Sequence, residues 1–382
     1  MKTIHDIEYV KGVKVLVRVD FNVPIKNGKV VDDFRVRVSL PTIKYLQEKG
    51  ATVILASHLE SIDGDDSSLE PVSHHIEKMG QAVTFIKDWK QAHEVIEKES
   101  SENTKGKNSG KVFLLENLRF FPGEKANDQN FSKQLASLAD IYVNEAFSCS
   151  HREHASIVGV PKILPSYVGL QFEKEVIHLS RAFNPSHPFL FILGGAKFDT
   201  KLPLIERFSK IADNVFLGGA LGNDALKAKG YPVGESKISN GLVSISHIVE
   251  DPHIMIPMDS VIQGHEMKDV KDIGPHDHIF DAGPKTLEQL KSKIDEAKFI
   301  LWNGPLGPYE DGYVEGTEAV AKMIAERTKK SRIESIVGGG DTVAAIANLN
   351  IEDNFTFVSS GGGAMLDFLA KGTLPGIEAL KG

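Results

Sequence analysis

A chain of 382 residues is long enough for two cores, and 41% hydrophobic with 25% charged residues is the composition of an ordinary globular protein, not a disordered one. The net charge of −8 argues against a general nucleic-acid binder, and the one cysteine, Cys149, excludes an intrachain disulfide and suits a reducing compartment. Residues 1–10 lack the apolar core of a signal peptide and no run approaches a membrane span, so a cytoplasmic protein without membrane partners is expected.

Strand-like runs at 14–19, 52–56, 83–86, 112–115 and 141–143 alternate with helical patterns at 34–49, 73–79, 89–98 and 131–138, the rhythm of parallel strands with crossover helices. The polar stretch 97–110 reads as a solvated excursion. The residues at the carboxyl end of each strand are more informative. After the first come Asp20 and Asn22, with Arg35 and Arg37 further on; after the second, Ser57-His58; after the fourth, Glu116-Asn117-Leu118-Arg119; after the fifth, Asn144-Glu145 leading to His151-Arg152. One arginine on a loop is usually a solvated charge. Several at the carboxyl ends of parallel strands read as a basic basin for a small, highly charged anion, with guanidinium forks suited to phosphate and carboxylate. Arg37 points away on the helix pattern, so Arg35 is the candidate. The run from Cys149 to His154 lacks the paired spacing of structural zinc and has Arg152 in its midst, which disfavours a metal site.

Residues 165–183 carry a helical pattern stopped by Asn184-Pro185, a natural hinge between two lobes. Beyond it, helices are expected at 202–209, 286–297, 316–326, 342–347 and 364–370. Glycine loops succeed apolar runs at Gly194-Gly195-Ala196-Lys197, Gly218-Gly219, Asn303-Gly304-Pro305, Gly338-Gly339-Gly340-Asp341-Thr342 and Gly361-Gly362-Gly363. Glycines let the backbone approach a ligand, and a helix N-terminus offers unpaired N–H groups, so these loops predict a site for a phosphorylated nucleotide. Asp341 either caps its helix or carries a Mg²⁺ that faces a phosphate. Lys197 and Lys201 can share one face of a helix start. The Walker A pattern, the dinucleotide fingerprint and a nucleophile elbow are absent. An anion basin paired with a nucleotide site suits phosphoryl transfer, which asks mainly for positioning and positive charge. The tail at 374–380 is apolar enough to dock, with no sign of where.

Taken in order, Val17-Arg18-Val19-Asp20-Phe21-Asn22-Val23-Pro24, Leu114-Leu115-Glu116-Asn117-Leu118-Arg119-Phe120, Gly194-Gly195-Ala196-Lys197, Trp302-Asn303-Gly304-Pro305, Gly338-Gly339-Gly340-Asp341-Thr342 and Ser360-Gly361-Gly362-Gly363-Ala364 resemble the phosphoglycerate kinases along nearly the whole chain. The resemblance implies an α/β fold of two Rossmann-like domains, each a doubly wound parallel sheet. These would be a phosphoglycerate-binding N-terminal domain at 1–165, a hinge helix at 166–184, and a nucleotide-binding domain at 185–371, with the tail 372–382 packing back onto the first. It implies a monomeric glycolytic and gluconeogenic phosphotransferase that moves a phosphoryl group reversibly between 1,3-bisphosphoglycerate and ADP, giving 3-phosphoglycerate and ATP, with Mg²⁺ as cofactor.

By matching positions, the resemblance assigns Asp20, Asn22, Arg35, His58, Arg119 and Arg152 to phosphoglycerate, and Arg35 with Lys197 to the phosphoryl group in flight. It assigns Lys197, Lys201, Gly219, Gly283, Asn303, Glu310, Gly338, Gly339, Gly340, Asp341 and Thr342 to the nucleotide, with Glu310 on the ribose and Mg²⁺ on Asp341. Three departures stand out. The family's Gly-Arg-Pro after Ser-His-Leu is Glu60-Ser61-Ile62 here, so an arginine for the substrate phosphate is missing and Ser61 stands in its place. The family's Val-Asn-Asp-Ala-Phe-Gly is Val143-Asn144-Glu145-Ala146-Phe147-Ser148, and Phe198 replaces a common Val. The missing arginine leaves a second reading open, a non-catalytic or weakly active nucleotide-binding paralogue. The absent fingerprint disfavours a third, a dinucleotide oxidoreductase.

Overall fold

The computed structural model describes residues 1–60, 67–102, 110–196, 198–239 and 245–381. Two compact units divide the chain: Met1–Ile177 with Thr373–Gly382, and His178–Gly372.

The first unit is built on six parallel strands, in spatial order Thr84–Ile86, Val112–Leu115, Thr52–Ala56, Lys14–Arg18, Ile141–Asn144 and Ser166–Val168. The central strands are near-continuous apolar runs because helices cover both faces of a parallel sheet; Val15, Leu16, Val17, Val53, Ile54 and Leu55 are wholly buried. Register decides where the loops emerge. Arg18 is level with both Ala56 and Asn144, so the segments bearing Asp20, His58 and Glu145 leave the sheet along one rim. The tail docks in this same unit: the Gly376 N–H donates to the Ser150 carbonyl at 2.8 Å, and Ile377 is buried.

In the stretch 166–184, the residues expected as one helix are divided. Ser166–Val168 is the edge strand, Gly169 breaks it, and Leu170–Ser180 is the helix, followed by a turn at Arg181–Phe183. Aromatic and β-branched Tyr167 and Val168 favour pairing over helix when a strand edge is available. The start of Leu170–Ser180 is capped from outside by Glu145, whose carboxyl oxygens accept the N–H groups of Gln171 (3.1 Å) and Phe172 (3.3 Å) and the Thr42 hydroxyl (2.6 Å).

The second unit has six parallel strands in spatial order Ile254–Met255, Asn214–Leu217, Phe189–Leu193, Phe299–Asn303, Glu334–Gly338 and Phe357–Val358. Counted along the chain this is the doubly wound order 3-2-1-4-5-6, whose direction of winding reverses between Phe189–Leu193 and Phe299–Asn303. A ligand crevice is expected at that reversal. An antiparallel sheet of Met267–Asp269, Asp259–Ile262 and Ile279–Ala282 is added beside it, and a helix at Gly219–Ala228 comes after the second strand; neither was signalled by the sequence patterns. Among the described residues no helix is long and apolar enough to cross a membrane.

Candidate active site

In the first unit the charged groups converge at the level strand ends. Asp20 is buried; burial pushes its carboxyl up, but Arg35, the Ser148 hydroxyl and the Asn22 N–H (3.0 Å) more than offset this and hold it well below the carboxylate range. Arg35 sits in the first turn of the helix Phe34–Glu48. Its Nη1 lies 3.2 Å from Asp20 Oδ2 and donates to the Asn22 carbonyl at 2.8 Å. Among the described residues its Nε and Nη2 have no partner, which leaves one edge of the guanidinium for an anion. Arg37 instead pairs with Asp33 (3.7 Å) and is half exposed.

His58 is buried over Arg18, the last residue of its strand and wholly buried itself. Arg18 Nη2 is 3.2 Å from His58 Nδ1, and Arg18 also donates to Ser156 Oγ (2.8 Å) and the Val19 carbonyl. A guanidinium only donates, so Nδ1 accepts and the imidazole proton sits on Nε2. Burial and the Arg18 charge push the His58 pKa well below its ordinary value, so the ring is a neutral donor. Arg119, capped into a short turn by Asn117, has a side chain only 1% exposed. Its Nε and Nη2 donate to Glu60 Oε1 (3.1 and 2.9 Å), and its Nη1 to His154 Nδ1 (3.2 Å); burial and Arg119 push His154 down to about 4. Arg152 Nη1 reaches the same Glu60 oxygen at 3.4 Å, and the Glu60 N–H donates to Asn22 Oδ1 at 2.9 Å.

All six residues expected on phosphoglycerate therefore belong to one contact network. Sequence reasoning gave no site role to Arg18, Glu60, Ser148 or His154; Arg18 is a charge ending an apolar strand, Glu60 and Ser148 stood out only as departures from the family pattern, and His154 only in the run disfavoured as a metal site. Cys149 lies with Asp20 and His58, their donor atoms within 4.8 Å of one another, and not in a site with His151 and His154. Burial pushes the Cys149 thiol up to about 11, and Arg18 and Arg35 share the cluster, so the surroundings suit an anion rather than a cation. Ser61 lies outside the described residues.

In the second unit the glycine loops meet where the winding reverses. Gly194 donates to the Asn303 carbonyl (2.8 Å) and Gly195 to the Pro305 carbonyl (2.9 Å). A Cβ on Gly194 would lie 2.1 Å from the Pro305 oxygen, and one on Gly304 2.5 Å from the Gly194 oxygen, so glycine is demanded there by backbone meeting backbone. Beside this junction is a cavity of about 430 Å³ whose lining includes Gly195, Ala196, Gly219, Ala220, Pro305, Gly307 and Asp341, together with Glu235, Lys237, His278, Phe280 and Asp311.

Lys201 is buried at the same junction and donates to the Gly194 carbonyl at 2.5 Å; burial pushes its ammonium down to about 8 while Asp341 opposes the shift. The helix Gly340–Asn348 is preceded by Gly339, which has no side chain to cap it, and Asp341 lies in its first turn; among the described residues no side chain caps its terminal N–H groups. Gly339 before it holds φ at 101°, a conformation only glycine adopts freely, and a Cβ on Gly340 would meet nothing within 4 Å. Among the described residues Thr342 Oγ1 is buried without a hydrogen-bond partner.

Of the residues expected on the nucleotide, Gly219 and Asp341 line the cavity, while Lys201, Gly338, Gly339, Gly340, Thr342 and Asn303 surround the same strand ends. Asn303 is buried, its Nδ2 3.6 Å from Met365 Sδ. Two residues stand apart. Glu310 is exposed on a turn whose neighbours Pro308 and Asp311 line the cavity. Gly283 packs against Asp259, which caps the helix Pro284–Glu296 through the N–H groups of Lys285 (3.0 Å) and Thr286 (2.9 Å); a Cβ would fall 2.4 Å from the Asp259 carboxyl carbon. Its glycine thus has a packing reason. Lys197 lies outside the described residues, and Phe198 beside it is buried.

Comparison with known proteins gives one answer. The sequence model of the family "Phosphoglycerate kinase" matches residues 4–372. The phosphoglycerate kinase of Dictyoglomus turgidum is 42% identical over 100% of this chain and 99% of its own length; that of Borrelia garinii is 39% identical over 100% and 99%. Among solved structures, the phosphoglycerate kinase of Pyrococcus horikoshii superposes with a TM-score of 0.86 at 33% identity, covering 100% of this chain and 98% of that one. The Coxiella burnetii enzyme gives 0.82 at 33% over 99% and 98%. With its two parallel sheets, and with a match that runs almost from end to end, the chain belongs to the phosphoglycerate kinase family.

Proposed function

We propose that this chain catalyses the reversible transfer of the acyl phosphate of 1,3-bisphosphoglycerate to ADP, giving 3-phosphoglycerate and ATP. The family match and the names of its curated relatives support the kinase identity. At the level of residues, the observation that carries the reading is the first unit's basin, where Arg35, Arg119 and Arg152 converge with a neutral His58 and a buried Asp20. In this reading Asp20, Asn22, Arg35, His58, Arg119 and Arg152 hold phosphoglycerate. Asp20 fixes the pose of Arg35, whose open edge, together with Lys197, stabilises the transferring phosphoryl group.

Nucleotide phosphates would lie on the N-terminus of Gly340–Asn348 beside Lys201 and Gly219, with Thr342 Oγ1 a buried hydroxyl that lacks a partner among the described residues. Asp341 is the carboxylate that fits Mg²⁺. Asp341 lines the cavity beside the strand ends and the helix start, and a carboxylate facing a phosphate site matches the way Mg²⁺ is usually held, by one or two carboxylates with the remaining positions left to phosphate and water. When bound, the ion would neutralise charge on the nucleotide phosphates.

In the ATP-forming direction the leaving group is a carboxylate, a stable anion, so no general acid is required. That suits a basin whose imidazole is held neutral and whose carboxyl is held ionised: neither group is poised to exchange a proton near neutral pH. Catalysis then rests on positioning and on cations around the phosphoryl oxygens. The test is a coupled assay of ATP consumption that depends on 3-phosphoglycerate. Turnover is expected; Mg·ATP binding without turnover at millimolar 3-phosphoglycerate would overturn the reading. Among the described residues nothing favours the non-catalytic alternative.

A further inference from the structure

The bidentate edge of Arg119 is already taken. Nε and Nη2, the pair that grips an anion in parallel, both donate to Glu60 Oε1, while Nη1 is spent on His154. Arg152 Nη1 reaches the same oxygen, and the Glu60 backbone N–H holds the side chain of Asn22. One residue therefore touches three of the groups that hold phosphoglycerate in the proposed function.

We propose that Glu60 is a specificity-determining residue of the phosphoglycerate site: its carboxylate is an internal anion on the Arg119–Arg152 pair that the substrate phosphate must displace. The proposal rests on the phosphoglycerate reading of this basin. Access is the first argument. The Arg119 side chain is 1% exposed and its fork is covered by Glu60, so no ligand forms the bidentate contact until Glu60 leaves. Mobility is the second. The Glu60 side chain is 42% exposed, long and single-charged, and can swing into water while Arg119 stays anchored to His154. Charge is the third. Burial pushes the Glu60 carboxyl up, but Arg119 and Arg152 outweigh it and hold it below its ordinary range, so at neutral pH the competitor is always ionised. The consequence is selectivity by charge: a dianionic phosphate can replace the carboxylate, whereas a monoanionic analogue gains little over the contact it breaks.

A residue that only held Arg119 in place would give the opposite result on removal, which makes the direction of the effect decisive. Glu60→Gln and Glu60→Ala are made in the full chain, and melting is used to verify folding. In both, KM for 3-phosphoglycerate is expected to fall about tenfold, the scale of one charge-assisted hydrogen bond released from competition, with the change in KM rather than in kcat. An unchanged or raised KM in both variants would overturn the proposal. Calorimetric titration with sulfate, without nucleotide, separates this outcome from failure of the functional reading. If the wild type shows no turnover, that reading fails, and Glu60 is then judged on sulfate alone: tighter binding in the variants supports the competition, while equal or weaker binding refutes it.

Discussion

Replacing Arg35 by alanine removes the one guanidinium in the basin with an edge unclaimed by protein among the described residues. Its Nη1 is committed to Asp20 and the Asn22 carbonyl, so the loss to the reaction is the pair of donors on Nε and Nη2. Hydrogen bonds to charged groups contribute about 1.5–3 kcal/mol each, so losing two costs roughly 3–6 kcal/mol of transition-state stabilisation, or about 10²–10⁴ in kcat/KM. A group that grips the phosphoryl oxygens most tightly in flight should lose chiefly kcat, and one that only holds the ground state should lose KM. Arg35→Lys keeps the charge but not the fork and should fall between wild type and alanine. The substitution also leaves Asp20 buried with only Ser148 and the Asn22 N–H, so a destabilisation of about 1–3 kcal/mol is expected and must be separated by melting curves. Steady-state kinetics in both directions, on protein shown to be folded at the assay temperature, is the measurement. A fall in kcat/KM of less than about threefold would refute the role given to Arg35.

Three further outcomes rest on particular groups. Lys201, its ammonium pushed down to about 8, should lose charge as pH rises through that value, so KM for ATP rises above it; Lys201→Met should show a raised KM with no such dependence, and a parallel pH profile in the two proteins would count against the assignment. Burial pushes the Glu145 carboxyl up to about 8, above its unfolded value of 4.5, so the folded state binds the extra proton between these limits. Its stabilising contribution is full below the lower limit and is lost as pH rises through the upper one. Glu145→Gln should therefore flatten the decline in urea stability between about pH 5 and about pH 9, a change of up to a few kcal/mol, and an unaltered slope would rule out this source. Gly283→Ala forces its Cβ onto the carboxylate of Asp259 that caps Pro284–Glu296, so stability should fall by about 1–3 kcal/mol with KM for ATP little changed; a raised KM with intact stability would return Gly283 to the nucleotide site.

How much of this could be read from residues alone depends on the range of the interaction. The runs at 52–56 and 112–115 were legible to the residue, because a strand buried on both faces must be apolar throughout. The loops at Gly194, Gly304 and Gly338 were legible as glycine loops, yet two of them also need glycine because the Gly194 and Gly304 backbones approach closely, a fact that appears only when strands far apart in sequence are set side by side. The helix Gly219–Ala228 escaped because glycines at its first and fourth positions lower its propensity, while burial of Leu221, Ala225 and Leu226 sustains it. The antiparallel sheet at Asp259–Ala282 escaped because its strands are short and rich in charge.

In the site, a chain pattern can nominate Arg35, His58 or Arg119 by their place after a strand, but it cannot say which charges they meet. Arg18 reaches His58 across 40 residues and Arg119 reaches Glu60 across 59, and these two contacts decide what the basin is able to do. The first leaves the imidazole proton on Nε2 and keeps the ring neutral; the second fills a fork that would otherwise be open. Counting cations from the sequence registers the missing arginine at Ser61 as a loss of one positive charge. The folded chain adds that Glu60 also brings a negative one, paired with Arg119 at 2.9 Å and Arg152 at 3.4 Å, so the number of arginines alone overstates the positive charge of this basin.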